Sequence, residues 1–125
     1  MQTLLIIAGG GAVGSLSRYW MTQLIQNGLG HEFPYGTLAV NVLGCLLAGV
    51  VYGALDRSSE LGHAWHALLI VGFMGAFTTF SAFSLATLQL LERSAFVAAA
   101  ANVLLSVLLS LAACGMGLWA AERWT

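Results

Sequence analysis

An all-α integral membrane protein of four transmembrane helices, the third of them broken, is the fold class that three features of the sequence predict. Of 125 residues, 59% are hydrophobic and only 7% charged, and the mean hydropathy of +0.88 lies far outside the range of soluble domains. Four apolar stretches reach the roughly 20 helical residues needed to cross a hydrocarbon core of about 30 Å. The third stretch is interrupted, over residues 72–84, by two glycines, four phenylalanines and a run of hydroxyls. Irregular backbone at membrane depth is tolerated only where it is buried in protein or lines a cavity, so this interruption marks a binding site or a conduction path.

The first span covers about residues 3–25. Met1, Gln2 and Thr3 carry no basic side chain and Gly9 to Gly14 break the apolar run, which argues against a cleaved signal peptide and for a retained helix. The second span covers about 37–55, the third 65–91 and the fourth 95–119. Short connections join them: 26–35 with the single proline, Pro34; 56–62; and 92–94. One four-helix transmembrane domain, residues 1–125, therefore accounts for the chain. Gly10/Gly14 and Gly49/Gly53 are GxxxG pairs, and Gly36, Gly44, Gly72, Gly75, Gly115 and Gly117 add further points where helices can approach closely.

Cys45 and Cys114 fall inside spans and have no CxxC spacing, so they read as small buried packing residues. His63 and His66 sit at i, i+3, but no Asp, Glu or Cys converges on them to complete a metal site. The chain has no lysine, and its arginines divide evenly: Arg57 and Arg123 on the side of the termini, Arg18 and Arg93 on the other. Either that tie is accidental, or the chain inserts both ways and pairs as an antiparallel dimer with a two-fold axis in the membrane plane.

The polar residues limit the mechanism. Glu32, Asp56, Glu60, Glu92 and Glu122 all map to loops or span ends, whereas proton-coupled exporters keep an intramembrane acid that exchanges proton for substrate. The one charge within a span is Arg18, which either attracts an anion or serves structurally by snorkelling to the interface. Thr37, Asn41 and Gly44 share one face of the second span. Asn41 can offer an amide N–H to an anion or link two helices. Asn102, Ser106 and Ser110 form a stripe over about 12 Å of the fourth span, unless the serines bond carbonyls one turn back. If the third helix resumes after Thr79, Phe80 and Phe83 become i, i+3 neighbours flanked by Thr79, Ser81 and Ser84. Rings turned edge-on present the positive part of their quadrupole to a small anion. Backbone unwound over Gly75 to Thr78 would leave carbonyls free to bind a cation.

These residues resemble the small fluoride channels known as Fluc or CrcB. The resemblance rests on Arg18-Tyr19 after a glycine-rich span, on Gly36-Thr37-Leu38-x-Val40-Asn41-x-x-Gly44, and on Gly72-Phe73-x-Gly75-x-Phe77-Thr78-Thr79-Phe80-Ser81-x-Phe83. It covers essentially the whole chain. It implies an antiparallel, dual-topology homodimer in the bacterial inner membrane, with two pores each lined by both subunits, that exports fluoride passively and confers fluoride resistance. It also implies aromatic pore contacts from Phe80 and Phe83, with Asn41, Thr79 and Ser81 nearby and Ser106 and Ser110 as a polar track. A structural sodium ion is implied on the dimer axis, held by the carbonyls of Gly75 and Thr78 from both subunits. The chain departs from many relatives at Ala82, where a second threonine is expected, at Ala86, where an acid is, and at Asn102, where some carry tyrosine. Two other functions compete with this one. A small multidrug exporter lacks support without its intramembrane Glu, and a non-conducting scaffold has little use for so many polar atoms at depth. No nucleophile, base and oxyanion donors assemble into an enzyme site, and nothing points to a nucleic-acid partner.

Overall fold

The computed structural model describes residues 1–55 and 59–124, and these form helices joined by short turns. Asp56 and Arg57, which the sequence assigns to the connection after the second span, lie outside the described residues. Helix α1 spans Gln2–Leu29, α2 Tyr35–Ala54 and α3 Glu60–His66. The chain then widens into a π-helical segment, Ala67–Met74, tightens again in the short α4, Gly75–Phe77, breaks, and resumes as α5, Phe80–Glu92. Helix α6, Phe96–Trp124, completes the fold.

Among the described residues, three helical stretches are long and apolar enough to cross a membrane: Tyr35–Ala54, Glu60–Glu92 taken through its break, and Phe96–Trp124. Helix α1 has the length, 28 residues, but its glycines, serines and Arg18 dilute its apolarity. Residues 60–62, read from the sequence as loop, are helical. Ser59 caps α3 by accepting a hydrogen bond from the Gly62 N–H at 3.0 Å.

The turns have local causes. Gly30 closes α1 with φ of 101°, a conformation glycine adopts without steric cost. Gln26 then pins the following loop: its amide nitrogen donates to the carbonyls of Gly30 and Phe33, and its oxygen accepts from the Gly36 N–H at 3.0 Å. The hairpin between α5 and α6 turns on Ser94 (φ 58°), with the Ala95 N–H donating to the Leu90 carbonyl at 2.9 Å.

Two glycine seams hold the long helices together. A Cβ added to Gly10 or Gly14 of α1 would strike the carbonyl oxygen of Leu68 or Phe73 in the π-helical segment, and one at Gly72 would come within 2.8 Å of the Ile7 carbonyl. Between α2 and α6 the arrangement is reciprocal: Gly49 faces the Cys114 carbonyl and Gly117 the Leu46 carbonyl, both too closely for any side chain. Of the other glycines expected at close approaches, Gly115 meets nothing within 4 Å and Gly75 only the Ile70 carbonyl at 3.6 Å. Val40, Leu90 and Asn102 are the most deeply buried large side chains, while leucines and valines along α6 remain exposed for lipid or a partner.

Candidate functional site

The break lies between α4 and α5. The sequence places unwinding at Gly75 to Thr78, but Gly75 is helical (φ −60°, ψ −34°), and the extended residues are Thr78 (ψ 155°) and Thr79 (φ −151°, ψ 118°). Thr79 is the reason the chain restarts where it does. Its hydroxyl oxygen caps α5 by accepting from the Ala82 N–H at 3.1 Å.

Asn41 of α2 secures the break by imitating a strand partner. Its Oδ1 accepts from the Thr79 N–H at 2.7 Å and its Nδ2 donates to the Thr79 carbonyl at 3.0 Å. Of the two sequence readings of Asn41, the helix-linking one is thus realised, and the amide still has a second N–H for another acceptor. In a continuous helix the Thr79 N–H would go to the Gly75 carbonyl. Directed to Asn41 instead, it leaves that carbonyl without its helical donor, at an exposed residue. The Thr78 hydroxyl donates to the Met74 carbonyl at 2.9 Å, and the Thr78 carbonyl is a second backbone oxygen at the break. Two such oxygens per chain suit a hard cation and fall short of a full coordination shell.

An open groove of about 350 Å³ runs from the break along α6. Asn41, Thr79, Phe80, Phe83, Ser106 and Ser110 line it together, bringing residues from α2, α5 and α6 to one place. Ser81, the remaining candidate, is exposed and joins through its hydroxyl, 3.2 Å from that of Thr79. The rings of Phe80 and Phe83 have centroids 5.3 Å apart and planes tilted by 47°. Phe80 is 79% exposed, far from a core role within its own chain. None of the residues lining the groove is acidic, and α5 directs the positive end of its dipole toward it. The environment favours an anion.

Arg18 lies apart from this groove. It lines another cleft, with Ser15, Thr22 and Thr37, that also reaches Thr79. Thr37, Asn41 and Gly44 do share a face, and that face meets the break: Gly44 lies against the Thr78 methyl and the Phe77 ring.

The structure adds residues that the sequence does not single out. Cys45 lines the groove and, like Cys114, is a free, half-buried thiol, less buried than a packing residue is expected to be. Thr87 holds Asn102 through a 2.9 Å hydrogen bond, and Asn102, 2% exposed, is a buried anchor with no surface in the groove. The stripe at i, i+4 marks Asn102. Nothing in α5 marks its partner, because a threonine among apolar residues has no distinguishing pattern.

The chain is similar in sequence to known proteins. The family model described as CrcB-like protein, Camphor Resistance (CrcB), matches residues 5–118. A Shewanella amazonensis protein named fluoride-specific ion channel FluC is 46% identical over 94% of this chain and 94% of its own length. A Photobacterium profundum protein of the same name is 45% identical over 89% of this chain and 87% of its own. A third, from Methylococcus capsulatus, is 46% identical over 97% of this chain, which spans only 53% of that relative's length.

Proposed function

The chain belongs to the CrcB family, and on that premise we propose that it is a fluoride-selective channel that lets fluoride leave the bacterial cytoplasm passively. It is a membrane protein of a transporting kind and not an enzyme. The observation that carries the reading is the groove itself, where Phe80 and Phe83 stand beside Asn41, Thr79, Ser106 and Ser110 with no carboxylate among them. Ring edges and neutral N–H and O–H donors stabilise a small dehydrated anion without trapping it as a fixed cation would. Ser81 extends that donor set at one end, and Arg18 raises the local anion concentration through the adjoining cleft.

The working unit in this proposal is a homodimer of four-span subunits, each a single domain with α1 as its first crossing, inserted antiparallel in the inner membrane. Phe80 is exposed in one subunit, which supports a pore completed by a second copy, two pores per dimer. The carbonyls of Gly75 and Thr78 would hold a structural sodium ion on the axis, four oxygens from two chains supplying what two alone do not.

Efflux from liposomes, followed with fluoride and chloride electrodes in parallel, tests the reading. Rapid fluoride release without chloride release is expected. Well-folded protein that releases no fluoride, or releases chloride equally, overturns it. A second arm adds one or two lysines to the 92–94 turn to fix orientation. Such protein should be inactive alone, and full activity would exclude the antiparallel dimer.

A further inference from the structure

A chain of hydrogen bonds, buried at its Asn102–Ser106 end, links the groove to the backbone of α5, and its direction follows atom by atom. The Thr87 hydroxyl oxygen lies 2.8 Å from the Phe83 carbonyl oxygen. Two oxygens that close need a proton between them and the carbonyl has none, so Thr87 donates. The Thr87 oxygen is therefore an acceptor toward Asn102, which must turn its NH2 group to it, at 2.9 Å. That fixes the amide: Asn102 Oδ1 faces Ser106, whose hydroxyl lies 3.4 Å away and can only donate. Asn102 and Ser106 are 2% and 8% exposed, so the bond between them is shielded from water, while the two bonds of Thr87 are part-buried.

We propose that Thr87, acting through Asn102, is a positioning residue that polarises Ser106 as a hydrogen-bond acceptor toward the groove. A serine whose proton is held inward presents lone pairs outward. It is a poor contact for an anion and a barrier to be crossed, while Ser110, Thr79 and the second N–H of Asn41 remain as anion donors. The proposal deepens the fluoride-channel reading and rests on it: five candidate polar side chains along the groove do not contribute equally, and Ser106 contributes least.

The test is fluoride flux in liposomes for Ser106→Ala, Ser110→Ala, Thr87→Val and the Thr87→Val/Ser106→Ala pair, with Thr87→Ser as the conservative control. In the wild-type background Ser106→Ala should lower flux clearly less than Ser110→Ala, which should lower it about fivefold, the equivalent of one net hydrogen bond. Thr87→Val frees the amide to turn over and the Ser106 proton to reach the groove, so Ser106→Ala should now lower flux about fivefold. Thr87→Ser should behave as wild type. A Ser106→Ala loss as large in wild type as in Thr87→Val overturns the proposal, and so does Ser106→Ala costing more than Ser110→Ala, a comparison that stands even if Thr87→Val does not fold. Melting temperatures in detergent give a readout independent of conduction. Networked residues should show non-additive shifts, additive shifts overturn the network, and a wild-type protein without fluoride flux defeats the channel reading while leaving that measurement decisive.

Discussion

The seam between α2 and α6 and the groove beside the break in α4–α5 use the same two long helices for opposite ends. At the seam, Gly49 and Gly117 bring backbone against backbone so closely that no Cβ fits, and the contact is closed. Less than three turns away along α2, Asn41 replaces that contact with two hydrogen bonds to Thr79, and the space beyond it stays open with phenylalanine rings and hydroxyls on its walls. One region is closed because side chains are missing; the other is open because polar side chains substitute for a broken helix. The difference teaches how a short membrane chain separates strength from function: the rigidity of the glycine seam lets the neighbouring backbone deviate from helix.

Substitutions in the two regions should therefore fail differently. The largest effect is expected from Gly117→Val, which forces a side chain onto the Leu46 carbonyl. Overpacking of this kind costs about 1–3 kcal/mol or more, and both the yield of folded protein on size-exclusion chromatography and the flux should collapse. Folded, active Gly117→Val would show that the seam yields. Next come Phe80→Ile and Phe83→Ile, which keep apolar bulk and lose the ring edge. These should retain the chromatographic profile and melting temperature of wild type while fluoride flux falls to background. Normal flux in both variants would remove the rings from the mechanism. The smallest effect belongs to Arg18→Gln in the adjoining cleft. With the cation gone, flux at low ionic strength should drop a few-fold and converge with wild type near about 0.15 M salt, where the screening length is about 8 Å. A loss that salt does not reduce would indicate a structural Arg18.

Much of the groove is legible in the amino-acid sequence. Asn41, Phe80, Phe83, Ser106 and Ser110 stand out because polar or aromatic residues in a strongly apolar chain need a reason, and helical spacing assigns them to shared faces. The misplaced features come from the same kind of inference applied too locally. Gly75 looks like the weak point of the third helix, yet glycine only permits a break. Thr79 causes it, because its hydroxyl caps the next helix and Asn41, 38 positions earlier, takes over the hydrogen bonds of its backbone N–H and carbonyl. Helix α3 begins earlier than hydropathy suggests, because a capping serine followed by Glu, Leu and Gly reads as loop when judged by apolarity alone. The apolarity of α1 remains diluted by the very glycines that fit it against the π-helical segment.

By itself the sequence determined the solvent in which the chain resides, the helical class, and the set of residues able to meet an anion, since these follow from transfer free energies and the period of the helix. Only the tertiary structure decided which way the polar groups point. Whether Asn41 serves the ion or the backbone, whether Ser106 donates inward or outward, and which threonine steadies Asn102 depend on the register of three helices against one another. A shift of a single residue would rearrange every one of those bonds without changing the composition.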